Sequence, residues 1–78
     1  MTDEDQSIAN IGACRRINRK AAAKYAEHGV TAEDAAIAAI YSAHDLALHL
    51  GHDPAGAIEW LRTALDVMEA QLLRGAAH

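Results

Sequence analysis

Apolar residues recur along this chain at helical spacing in three blocks, parted by two short polar breaks. In the last block, laid out at about 100° per residue, Ala57, Ile58, Leu61, Ala64, Leu65, Met68 and Leu72 form one stripe. Glu59, Arg62, Thr63, Asp66, Glu69 and Ala70 lie outside it. In the first block Ile11, Cys14, Asn18, Ala21, Ala22 and Tyr25 share a face flanked by Ile8 and Ile17. The middle block differs. Ile37, Ile40, Tyr41, His44 and Leu48 define one apolar side, and Ala35, Ala39, Ala43, Leu46 and Leu50 an adjoining one. Only a thin polar strip is left, and the apolar arc of roughly 240° exceeds what two neighbouring helices must cover.

The breaks carry turn chemistry. Gly29 suits the left-handed position that ends a helix, and Thr31 fits as the next N-cap, with Asp34 three residues on in a variant of the capping box. In Leu50-Gly51-His52-Asp53-Pro54, Gly51 ends one helix, Asp53 caps the next and Pro54 takes its first position. These signals predict an all-α fold, a three-helix antiparallel bundle with helices at about residues 5–28, 32–50 and 54–74. Residues 1–78 form a single helical domain in this reading, with 1–4 and 75–78 frayed.

Composition sharpens the picture in one respect. Apolar residues make up 51% of the 78, yet 19 residues are alanine and only 17 large side chains (Leu, Ile, Val, Met, Trp) follow Met1. A single small core therefore has little margin over the entropy of ordering the chain. The surplus apolar perimeter of the middle helix, together with Trp60 and Val67 on the shoulder of the last stripe, predicts dimerisation. The expected interface is Trp60, Val67, Ala39, Ala43, Leu46 and Leu50.

Charge then offers a second surface. Arg15, Arg16, Arg19, Lys20 and Lys24 are five of the seven basic residues and fall within ten positions on the outer half of the first helix. Such a cluster is a candidate contact for phosphates of a nucleic acid or another anion. Three features weigh against that reading: the net charge of −4, the seven acids against one base between Glu33 and Glu69, and the lack of an aromatic residue among the cations. A helix-turn-helix reading of the last two helices is disfavoured because Glu59, Asp66 and Glu69, against Arg62 and Arg74, would face phosphate.

The stretch from His44 to Asp53 invites a metal reading, with Asp45 and His49 four residues apart and His52 and Asp53 in the turn, but the spacing matches no standard zinc pattern. The bland alternative is favoured, in which His49 sits at a helix C-terminus and Asp53 serves as a cap, so neither metal nor cofactor is expected. His44 is expected in the core, bonded to a tyrosine or a backbone group and weakening the fold when acid charges it. Cys14 is expected to face inward as a small apolar group, without the oriented base that nucleophilic catalysis needs. No phosphate loop, dinucleotide fingerprint or catalytic triad is present, so an enzyme is not expected.

No run approaches the 18 or more apolar residues that span a bilayer, the opening Thr2–Asp5 is acidic, and one cysteine cannot pair internally, all of which point to the cytoplasm. The composition is similar to that of small bacterial or phage helical proteins. The functional expectation is a cytoplasmic protein–protein interaction module, homodimeric or binding and inhibiting a larger complex. The alternatives are a nucleic-acid or anion binder and, behind it, a metal-binding protein.

Overall fold

The computed structural model describes residues 2–76 and is all-α, with helices α1 (Asp3–Glu27), α2 (Ala32–Leu48) and α3 (Pro54–Ala76). No strand occurs among the described residues, and no helix among them is long and apolar enough to cross a membrane. The chain forms two compact units, Met1–Ile37 with α1 and the first turns of α2, and Ala38–His78 with the rest of α2 and α3.

In the first unit α1 begins two residues before the expected helix start. Thr2 is extended and its Oγ1 accepts from the Asp5 N–H at 3.1 Å, so the acidic residues expected to fray instead form a capped first turn. Their negative charge suits the positive end of the helix dipole. The other end of α1 closes in a Schellman arrangement. Gly29 has φ 82°, Val30 N–H donates to Tyr25 O, and Gly29 N–H to Ala26 O, each at 3.0 Å. Thr31 then caps α2 as expected, its Oγ1 accepting from Asp34 N–H at 3.1 Å.

In the second unit α2 stops at Leu48, two residues short of expectation. The N–H groups of His49, Leu50 and Gly51 donate three residues back, to Leu46, Ala47 and Leu48, which tightens the end into a 3₁₀ turn closed by Gly51 at φ 91°. Asp53 starts α3: its Oδ1 accepts from Gly56 N–H at 2.7 Å and its main-chain oxygen from Ala57 N–H at 2.8 Å. Helix α3 runs on through Ala76, past the expected end at 74; residues 77 and 78, and Met1 at the other end, lie outside the described residues.

Burial in the second unit concentrates near the α2–α3 turn. Ala47 (1% exposed) and Ala57 (0%) are the fully buried apolar residues among those described. His44, His52, Gly56 and Leu61 are half-buried around them. Further along, the stripe predicted as core stands open, with Leu65, Met68 and Leu72 exposed. The fully buried apolar positions of the two helices, among the described residues, are alanines, whose small side chains permit close approach without enclosing large ones.

Candidate functional site

Next to the buried Ala47, within the second unit, lies an open apolar hollow of about 410 Å³ lined by Ala43, Leu46, Ala47, His49, Leu50 and Trp60. Its origin is local. Ala43 and Ala47 are four residues apart and share a helix face, so their small side chains form the floor. Leu46 and Leu50 share the adjoining row and stand at one rim, 68% and 60% exposed. Trp60, 42% exposed, contributes the indole from α3. Four of the six expected interface residues, Ala43, Leu46, Leu50 and Trp60, are thus brought together around one depression.

Ala39 and Val67 do not line it, although both are exposed. Helical rise explains their absence: Ala39 lies about 6 Å before Ala43 along the axis, and Val67 about 10 Å beyond Trp60. Ala47 and His49 are the residues that sequence reasoning did not assign to this surface. The fourth-residue spacing from Ala43 was a usable signal for Ala47. For His49 there was none, because its place depends on the tightened end of α2.

The histidines do structural work. His44 Nε2 donates to Pro54 O at 3.1 Å, a bond from α2 to the first turn of α3. The partner is a backbone carbonyl, as one branch of the expectation had it, and the ring is half-buried rather than in a core. A carbonyl only accepts, so the ring nitrogen is the donor in this bond.

His49 Nδ1 donates to Asp45 O at 2.9 Å, and Asp53 is occupied by Gly56 N–H. Among the described residues no three of His, Cys, Asp and Glu are grouped to hold a metal ion, so the arrangement of Asp45, His49 and His52 that would have bound one is not formed.

In the first unit Arg15, Arg16, Arg19, Lys20 and Lys24 are all exposed. Lys24 pairs with Glu27 at 3.5 Å; within that unit, among the described residues, the other four have no carboxylate at ion-pair distance. The inward face expected for α1 is not enclosed either. Cys14 is exposed, Tyr25 is 47% exposed, and α1 has no buried residue. In the second unit the one ion pair among the described residues, Arg62–Glu59 at 3.0 Å, lies within α3 and is itself exposed. Comparison of the chain with known protein families, with characterised proteins and with solved structures gives no match.

Proposed function

We propose that this chain is a small protein–protein interaction module that works through the α2–α3 face around Trp60, as a homodimer or seated on a larger partner. The observation that carries the reading is the hollow itself: an indole and two protruding leucines stand around an alanine floor, in a unit whose fully buried apolar residues, among those described, are both alanine. An aromatic anchor beside a shallow apolar depression is where protein interfaces concentrate their energy. Val67 and Ala39 extend the same apolar surface along their helices. A cytoplasmic setting belongs to the proposal, supported by the single unpaired cysteine. The proposed role is binding rather than catalysis, as His49, which lines the hollow, donates its Nδ1–H to the Asp45 main-chain oxygen.

Sedimentation at tens of micromolar, alongside capture of partners from the native host, tests this. Trp60→Ala should weaken association by about 30-fold, the equivalent of a truncated aromatic hot spot of about 2 kcal/mol. Unchanged self-association and unchanged partner capture in Trp60→Ala would sink the reading.

A second reading has its own observation. Four cations of α1 lack a carboxylate within their unit, which suits a nucleic acid or another polyanion. Retardation of DNA or RNA at low salt, abolished by Arg16→Glu with Arg19→Glu, would favour it.

A further inference from the structure

Two polar atoms at the hollow complement each other without meeting. His49 Nδ1 lies 2.9 Å from the main-chain oxygen of Asp45. Since a carbonyl cannot donate, Nδ1 carries the proton, and in the neutral ring Nε2 keeps an unshared pair as an acceptor. Trp60 brings an indole N–H, which can only donate. Among the described residues neither that N–H nor His49 Nε2 has a hydrogen-bond partner. Both side chains line the same hollow, the indole from α3 and the imidazole from the end of α2, and the rest of the lining is alanine and leucine.

We infer that the occupant of the hollow is a second copy of this chain, whose Trp60 N–H donates to His49 Nε2 across a two-fold axis, once in each direction; this rests on the interface reading above and names its partner. The patch is self-complementary, since it holds an aromatic side chain beside a hollow and a donor beside an acceptor. A two-fold axis through the hollow lays the α3 rim of each copy over the α2 rim of the other, so both contacts form reciprocally. The five acids of this unit do not oppose the approach. At about 100° per residue Asp66 stands about 120° and Glu69 about 180° from Trp60, and Asp45 about 160° from Ala47. Glu59 pairs with Arg62, and Asp53 caps α3. Burying the indole N–H and the imidazole lone pair is costly unless they are bonded, so their pairing sets the register while the apolar contact supplies most of the affinity.

Removing the donor and the acceptor separately tests the pairing. Trp60→Phe keeps an aromatic ring without the N–H, and His49→Phe keeps a ring without the acceptor. Each variant alone should dimerise about tenfold more weakly than the original chain, because two buried polar groups per dimer lose their partners. The double variant leaves neither group unpaired and should dimerise no more weakly than either single one. An equimolar mixture of the two single variants should form the heterodimer in excess of statistical mixing, read by native mass spectrometry. That species keeps one intact Trp60–His49 pair and sets the two phenylalanines against each other, whereas each homodimer has no intact pair. In the original chain the indole resonance of the single tryptophan should shift on dilution. Circular dichroism of each variant checks that helix content is kept.

Losses that add in the double variant would overturn the pairing and leave the apolar interface standing. Losses that do not add, with single variants that mix only statistically, would place the pair inside one chain and overturn the inference. An original chain that stays monomeric, its indole resonance fixed on dilution, yet captures a host protein through Trp60 would overturn the inference alone. A monomer that captures nothing would remove the interface reading with it.

Discussion

Among the described residues the His44 ring is the one side chain whose hydrogen bond runs from α2 to α3, its Nε2–H reaching Pro54 O at 3.1 Å. Replacing it by phenylalanine keeps a ring of similar size but removes the donor. His44→Phe should therefore cost about 1 kcal/mol, the usual net worth of such a bond, read as a lower urea midpoint at matched protein concentration. A midpoint equal to that of the original chain would mean that the bond contributes nothing. The residue scale is also where the sequence was least legible. A helical wheel says which side of α1 is apolar, and it put Cys14 and Tyr25 on that side. It cannot say whether a neighbour covers them, and both stand exposed. His44 drew attention for its apolar neighbours, but its partner lies ten residues on, across a turn whose geometry the wheel does not contain.

At the scale of elements the turns were legible because their chemistry is local. Gly29, Thr31, Gly51, Asp53 and Pro54 each act within a few residues of themselves, and each does what its type predicts. The end of α2 was less so, since His49 and Leu50 are compatible with helix and only the 3₁₀ bonding takes them out of it. The start of α3 hides a conflict that yields a prediction. Gly56 sits in the first turn, where alanine would normally gain up to about 1 kcal/mol. A Cβ there would come 2.8 Å from Asp53 Oδ1, the atom that caps the helix. Relieving that contact means moving the cap, whose loss costs about 1 kcal/mol. Gly56→Ala alone should therefore leave stability nearly unchanged, while in an Asp53→Ala background it should stabilise by most of its ordinary gain. Thermal melts of the four variants form a double-mutant cycle. An equal effect of Gly56→Ala in both backgrounds would show that the carboxylate does not exclude a methyl group.

For the whole molecule, the proposed dimer would link folding to association. The chain is half apolar and so is not of disordered composition, yet its fully buried apolar residues among those described are two alanines, and Leu46, Leu50, Leu65, Val67 and Leu72 each remain more than half exposed. In the proposed dimer a second copy covers these side chains, and the apolar hollow beside Trp60 is where that cover has the most to gain. If the folded state is a dimer, mass action makes its stability depend on concentration. A hundredfold rise in protein adds about 2.7 kcal/mol per dimer. With an unfolding entropy near 2.1 cal/mol/K per residue, or about 0.33 kcal/mol/K for two chains, that moves Tm by about 8 °C. Melts followed by circular dichroism at about 5 and 500 μM should show this rise, and Trp60→Ala should melt lower than the original chain at both concentrations. A Tm that stays fixed over that range would mean that one chain buries what it needs without a second copy.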